Sequence, residues 1–300
     1  MNNHILRVFP IALLVASAFF LSSCHSSGTS AAKRYPFTGR VVSIDNQAQS
    51  AIIDGDAVPG FMEAMAMAYK VKPAATLNHL LPGDSISAEV VVVRKNYDAP
   101  LDYWLENVKV IRHIDPSHAA GANSPHVPVP GEDVPDFSFI NQSGKRISLK
   151  QYRGKVLLIT FIYTRCPFPD FCPRVSSNFT EIYQQLDGNP VLANTHLLSI
   201  SFDPEHDTPK ILRDYGFSVS HTREPALFSR WEFAAPRAAD LPQIADFFAL
   251  TLKPEGGAIT HNLSTAVIGP DGKIVKWYHG NDWQPSDLIK DAASAHEAKG

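Results

Sequence analysis

A continuous apolar stretch followed at once by two cysteines limits the folds open to this chain more than any other feature. Residues 156–164 are apolar or β-branched without alternation, which predicts a strand buried on both faces of a sheet. Cys166 and Cys172 follow it, with five residues between them, and apolar residues at helical spacing come next. This order predicts both sulfurs at the carboxyl edge of a strand and near a helix N-terminus.

Such a cysteine pair can cycle between dithiol and disulfide, or it can bind a soft metal. A helix N-terminus stabilises the thiolate, and both kinds of chemistry need the thiolate. Structural zinc sites usually take four ligands, whereas copper(I) is satisfied by two or three soft ones. A third alternative is an inert disulfide that only pins the turn, so the residues by themselves leave the choice open.

The N-terminus predicts an export signal. Arg7 precedes an apolar run at residues 8–21, which is short of the roughly 20 residues that span a bilayer. The run ends in Leu21-Ser22-Ser23-Cys24, similar to the lipobox of bacterial lipoproteins, in which the cysteine is lipidated. A plain secretory signal or a short membrane anchor are the alternatives. All three place the rest of the chain outside the cytoplasm, where disulfides persist.

Composition and turn signals predict two domains behind this signal. Five short β-branched stretches separated by Gly/Pro turns predict a small all-β five-stranded, OB-like barrel, and four prolines then mark a linker. Strands and helices follow in the order β-β-β-α-β-α-α-β-β-α, which resembles an α/β thioredoxin-like fold. The predicted segments are a signal peptide at 1–24, a tether at 25–35, the barrel at 36–112, the linker at 113–130 and the thioredoxin-like domain at 131–300. The net charge of −3 provides no basic field, so nucleic acid is not expected as a partner.

The methionines form a second group of soft sulfurs. The chain has four, and all except the initiator lie close together, as Met62, Met65 and Met67. Met65 and Met67 are two residues apart, so on a strand they point to the same face. Thioethers favour copper(I) or silver(I), although methionines also fill small β cores. Their concentration in one segment favours a metal site.

The cysteine region resembles the Sco/SenC family, whose members are thioredoxin-like, copper-binding assembly factors for cytochrome c oxidase. The resemblance rests on Thr164-Arg165-Cys166-Pro167, on Cys172-Pro173, on residues 199–209 and on Ile259-Thr260-His261. It implies that Cys166, Cys172 and His261 bind copper and that Asp203 lies near the site. The family usually has three residues between its cysteines, whereas this chain has five.

The methionine region resembles the CusF-like family of small periplasmic copper-binding barrels. The resemblance rests on residues 39–42, 59–67 and 82–84 and on Trp104-Leu105. It implies that Met65 and Met67 are ligands and that Met62 stands where the family has a tryptophan. The histidine position of the family falls on Asp54 or Gly55, so a site made of methionines alone would be weaker and more exchangeable.

Together these features predict a metallochaperone rather than an enzyme. It would be lipid-anchored on the periplasmic side of a bacterial membrane and would carry copper (Cu⁺ or Cu²⁺). The resemblance to the Sco/SenC family implies delivery of that copper to the CuA site. The resemblance implies the copper-bearing subunit of cytochrome c oxidase and other periplasmic copper carriers as partners. The alternative is a thiol–disulfide oxidoreductase with Cys166 and Cys172 as its redox pair. A peroxidase, using one thiolate, receives no particular support from the five-residue loop.

Overall fold

The computed structural model describes residues 32–46, 49–62, 64–94, 101–113, 126–255, 258–280 and 283–297. Within these ranges the strands are β1 (Lys33–Asp45), β2 (Ser50–Gly55), β3 (Met65–Val71), β4 (Ser85–Arg94), β5 (Leu101–Arg112), β6 (Ser138–Asn141), β7 (Arg146–Ser148), β8 (Val156–Ile162), β9 (Thr195–Ser201), β10 (Trp231–Ala235), β11 (Leu252–Glu255), β12 (Ala258–His261), β13 (Ser264–Ile268) and β14 (Ile274–His279). The helices are α1 (Cys172–Leu186), α2 (Pro209–Val219), α3 (Leu241–Phe247) and α4 (Pro285–Glu297).

The first five strands form one closed sheet. Hydrogen bonds run in the order β1-β2-β3-β5-β4, and β1 also pairs with β4, so the sheet closes into a barrel. Tyr69 and Leu105 fill its interior and are fully buried. Gly39 lies opposite Gly55 where β1 meets β2, and a Cβ on Gly55 would lie 2.6 Å from the Phe37 ring. The glycines therefore let the barrel wall close around that ring.

A seven-stranded sheet follows, in the order β14-β13-β8-β9-β10-β6-β7. Strands β8 and β9 are parallel, whereas β13 is antiparallel to both β8 and β14. The connection β8-α1-β9, followed later by the hairpin β13-β14 and helix α4, is the connectivity of the thioredoxin-like fold. This part of the fold agrees with the sequence-based expectation.

Strand β8 is the centre of that sheet. All seven of its residues are buried, because its alternate side chains enter two different cores. Leu157 and Ile159 pack on the face covered by α3, while Val156 and Leu158 pack on the face covered by α1, α2 and α4. The absence of polar alternation in residues 156–162 thus has a direct physical cause.

The predicted order of elements omitted three strands and extended one helix. Strands β10, β11 and β12 have only four or five residues each, which is too short for a periodic signal. The sequence Asp240-Leu241-Pro242 predicts the start of a helix that reaches Leu250, but α3 ends at Phe247. Ala249 then adopts a left-handed φ of 53°, and the Leu250 amide bonds the Ala245 carbonyl. A glycine usually occupies the left-handed position at a helix end, and here that position is an alanine, so the sequence does not indicate where α3 ends.

Candidate metal centre

The two cysteines flank a short turn between β8 and α1. The Cys166 amide donates to the Tyr163 carbonyl, and the Phe171 amide donates to the Phe168 carbonyl, so the segment folds back on itself. Cys172 is the first residue of α1 and is fully buried, while Cys166 is partly exposed. Both thiols are free. The pair therefore consists of one accessible and one inaccessible sulfur.

His261 completes a three-residue cluster with these sulfurs. Its Nε2 lies 3.7 Å from the Cys172 Sγ and 4.0 Å from the Cys166 Sγ. All three donor atoms lie within 4.8 Å of one another. The other ring nitrogen, Nδ1, lies 2.8 Å from the Asn262 carbonyl oxygen and donates its proton there. This bond fixes the tautomer that presents the Nε2 lone pair to the sulfurs.

Aromatic rings enclose the imidazole of His261. Tyr163 and Phe171 meet it edge-on at centroid distances of 5.6 and 5.5 Å, and Phe202 lies at 4.7 Å. Only 3% of His261 is exposed to solvent. The cluster therefore lies in a mostly dry pocket, where electrostatic interactions are stronger than in water.

The environment separates the pKa values of the two thiols. The Cys166 pKa is lowered to about 4, chiefly because Cys172 donates a hydrogen bond to its sulfur, against the cost of partial burial. Burial raises the Cys172 pKa well above its ordinary value, and the negative charge on Cys166 raises it further. At neutral pH the pair therefore carries one thiolate, on the accessible sulfur.

A group of acidic residues holds the start of the cysteine turn. Asp207 is buried and accepts hydrogen bonds from the Thr164 amide at 3.0 Å, from the Thr164 hydroxyl at 2.5 Å and from the Ser201 hydroxyl at 2.5 Å. Asp203 pairs with the Arg165 guanidinium at 2.7 Å. Asp203, His206 and Asp207 also lie close enough together to hold an ion. Their oxygens, however, already position the residues next to Cys166, a role that the sequence did not reveal for Asp207.

Loss of the Asp207 carboxylate should destabilise the protein. In Asp207→Asn the amide nitrogen would face donors in a buried site, so we expect the free energy of unfolding to fall by about 2–3 kcal/mol in urea titrations. Asp214→Asn is the matched control, because Asp214 is exposed and pairs with Lys210 across one helical turn. It should change the unfolding free energy by no more than about 0.5 kcal/mol. Equal effects of the two substitutions would contradict the positioning role.

The three methionines lie on the barrel side that faces the thioredoxin-like domain. Met65 and Met67 belong to β3 and line one cavity together with Met62. Met62 and Met67 also pack against the barrel core, and the Tyr69 hydroxyl lies 3.4 Å from the Met62 sulfur. Trp104 is not among the residues that line this cavity, and the Lys72 ammonium stands 3.5 Å over its ring. The methionine sulfurs are thus the soft donors that the barrel offers there.

Asp54 and Gly55 stand beside β3 but provide no imidazole. They pair with Ala66 and Met65 in the β2–β3 ladder, and the Asp54 carboxylate binds the Arg40 guanidinium at 3.1 Å. The histidine that does reach β3 comes from the other domain and is His279, the last residue of β14. His279 Nδ1 accepts from the Ala68 amide, and its Nε2 donates to the Ala66 carbonyl, each at 2.9 Å. Burial lowers the His279 pKa to about 4, so this residue is neutral at pH 7.

The proposed lipidation residue, Cys24, lies outside the described residues. Within the part of the chain that is described, no helix combines the length and apolar character needed to cross a membrane.

Two family models match the chain in separate segments. The SCO1/SenC model matches residues 129–297, and the model described as copper binding periplasmic protein CusF matches residues 34–98. The SCO1 protein homolog of Bacillus subtilis (strain 168) is 33% identical over 172 residues, covering 56% of this chain and 84% of that protein. The mitochondrial SCO1 homolog of Homo sapiens is 28% identical over 151 residues, covering 48% of this chain and 47% of that protein.

Among solved structures, BsSco, described as a member of the Sco family of cytochrome c oxidase assembly proteins, is 32% identical. The match covers 57% of this chain and 98% of BsSco, with a TM-score of 0.47. The SCO1/SenC model spans more than half of the chain, and the thioredoxin-like domain carries the site described above. The chain therefore belongs to the SCO1/SenC family and carries a CusF-like domain at its N-terminal side.

Proposed function

We propose that this protein is an extracytoplasmic copper chaperone that holds copper(I) through Cys166, Cys172 and His261. The observation that carries the proposal is the convergence of two thiol sulfurs and one imidazole nitrogen within 4.8 Å, with the imidazole tautomer fixed by the Asn262 carbonyl. Two soft sulfurs and one nitrogen suit the low coordination number of copper(I) and fall short of the four ligands of a structural zinc site.

Each residue of the cluster has a distinct part in this function. Cys166 supplies a thiolate at the accessible side of the pocket, where a donor or a client can exchange ligands with it. Cys172 supplies a buried sulfur at the start of α1, and its proton leaves when metal binds. His261 supplies Nε2 from a separate strand, and the surrounding rings keep water away. The cargo is thus protected on three sides and reachable at one sulfur.

The family context supports the wider features of the proposal. The Sco relatives are described as cytochrome c oxidase assembly proteins, which supports the CuA-bearing subunit of the oxidase as the client. The description of CusF as periplasmic supports a location outside the cytoplasm. We propose that a lipid on Cys24 attaches the chain to a membrane. The chain then divides into an OB-like barrel at 36–112, which provides methionine ligands, and a copper-binding domain at 131–300.

Replacing His261 distinguishes copper binding from a thiol–disulfide oxidoreductase function. Structural zinc sites with four ligands bind with about 10–16 kcal/mol, or about 3 kcal/mol per ligand. On that scale His261→Ala should weaken copper(I) binding about a hundredfold. The measurement is competition with a copper(I) chelator of known affinity. His79→Ala is the control, because His79 is exposed on the barrel surface. Unchanged copper affinity in His261→Ala would remove His261 from the ligand set.

The second candidate function is that of a thiol–disulfide oxidoreductase. It is favoured by one observation, the low pKa of the accessible Cys166 beside the raised pKa of the buried Cys172. The Cys166 thiolate would attack a client disulfide to form a mixed disulfide. The Cys172 thiol would then attack the Cys166 sulfur, which releases the client as a dithiol and leaves a Cys166–Cys172 disulfide. His261→Ala that lost copper binding but kept disulfide exchange would show that the two activities are separable.

A further inference from the structure

One cavity lies between the barrel and the thioredoxin-like domain. It has a volume of about 560 Å³. From the barrel it is lined by all three clustered methionines, and from the other domain it is lined by His261 and by Phe168 and Phe171 of the cysteine turn. His261 therefore belongs to both regions: it lines the cavity, and its Nε2 lies within 4.0 Å of both cysteine sulfurs. The three methionines and His261, the residue that contacts both cysteine sulfurs, therefore border one cavity.

The methionine strand makes hydrogen bonds across the interface between the two domains. The His279 ring bonds the backbone of Ala66 and Ala68, the two neighbours of Met67. The Asn262 side-chain amide also donates to the Ala66 carbonyl, at 3.1 Å. Asn262 directly follows His261 and fixes its ring through the Asn262 carbonyl. The hydrogen bonds that dock the barrel therefore also bring Met67 and His261 to the same cavity.

His279 acts in this interface by position rather than as a ligand. Both of its ring nitrogens are already engaged by β3, one as an acceptor and one as a donor. Although the ring lines the cavity, neither nitrogen is available to a metal while the domains are docked. The donors that remain on the barrel side are the three thioethers. They are neutral and soft, and they hold copper(I) or silver(I) less firmly than a pair of thiolates does.

We propose that this cavity is a passage through which copper(I) moves within one molecule from Met62, Met65 and Met67 to His261, and from there to the two cysteines. The inference rests on the proposed copper-binding function and adds a route and a direction to it. The direction follows from the donors, since cysteine sulfurs, which lose their protons as they bind the metal, hold copper(I) more firmly than neutral thioethers do. The rings of Phe168, Phe171 and Tyr103 give the passage apolar walls.

The transfer is a ligand exchange and needs no electron. Copper stays in the +1 state, bonds to thioether sulfurs break, and bonds to His261 and the cysteine sulfurs form. A thiol that still carries its proton releases it to solvent as it becomes a ligand. No oxidant, reductant or further reactant takes part.

The rate of copper entry into the cysteine site tests the passage. Anaerobic, fully reduced full-length protein is mixed with a weakly chelated copper(I) complex, and the ultraviolet absorption of the copper–thiolate bond is followed. Replacing the methionines by Met62→Leu/Met65→Leu/Met67→Leu keeps the side-chain volume but removes the thioethers. We expect the final absorption to equal that of the wild type and the rate to fall about tenfold or more. An internal step works at an effective concentration of about a millimolar, which dilute protein cannot match by collision.

A second test of the passage changes the hydrogen bonds between the barrel and the thioredoxin-like domain. His279→Ala keeps every soft donor but removes both bonds to β3, so it should slow the copper–thiolate signal by a similar factor. His279→Gln can still accept from the Ala68 amide and donate to the Ala66 carbonyl, and should recover most of the rate. A triple methionine variant that fills as fast as the wild type would overturn the passage while leaving the copper site intact. The absence of any copper–thiolate absorption in the wild type would overturn the proposed function and the passage together.

Discussion

Cys166→Ser/Cys172→Ser should remove tight copper(I) binding by the thioredoxin-like domain. Serine hydroxyls are hard, protonated donors that copper(I) does not favour, so two of three ligands are lost at once. At about 3 kcal/mol per ligand the loss amounts to about 6 kcal/mol, or about a ten-thousandfold weaker site. The copper K-edge absorption of the full chain should then show scattering from thioether sulfur alone.

The fold should survive this double replacement. Cys172 is buried and its hydroxyl replacement is smaller, so a modest loss of stability is expected, but the two cores on either side of β8 do not depend on the thiols. Circular dichroism therefore provides the check that the variant is folded. A folded variant that keeps one tightly bound copper with nitrogen and short sulfur bonds would contradict the ligand assignment.

Alkylation of Cys166 should be nearly independent of pH from about pH 6 to pH 8. With a pKa of about 4 the sulfur is already ionised across this range. An ordinary thiol, with a pKa of about 8.5, would react about tenfold faster for each added pH unit until it ionises. The absolute rate is a poor measure, because a thiolate of low pKa is also a weaker nucleophile. The decisive observation is therefore a flat profile that falls only as the pH approaches about 4.

The single variant Cys166→Ser is the control for that experiment. It leaves only Cys172 in the described part of the chain, whose pKa is raised chiefly by burial, so alkylation should be slow until denaturant exposes the thiol. A wild-type rate that climbs steadily through neutral pH would show that Cys166 is not ionised there.

Much of the fold could be predicted from strong local patterns. The unbroken apolar run that became β8 and the Pro270-Asp271-Gly272 turn between β13 and β14 each have one dominant structural explanation. Short strands such as β10 could not be predicted, because its five residues gain their strand geometry from pairing with β9 and β6 rather than from any pattern of their own.

The site was predictable to the extent that soft donors are rare in this chain. Cys166 and Cys172 follow a recognisable strand, and His261 was identified by its motif before a strand. His279 could not be identified in the same way, because its role depends on the barrel docking against β14, which no short-range pattern reports. Asp207 could not be identified either, because its role depends on the hydrogen bonds that it accepts from Thr164 and Ser201. Long-range hydrogen bonds are the part of a site that sequence patterns describe least.

His261 is carried by the ribbon of β11 and β12, which is a sheet of its own and not part of the seven-stranded one. It also lies 95 residues along the chain from Cys166. A copper ion held by all three side chains would therefore act as a removable cross-link that closes a loop of that length. A covalent bridge over a comparable loop restricts the unfolded ensemble by about 4–5 kcal/mol. Release of copper would remove this restriction on the unfolded chain. The copper-free protein would therefore have a lower free energy of unfolding than the copper-bound protein.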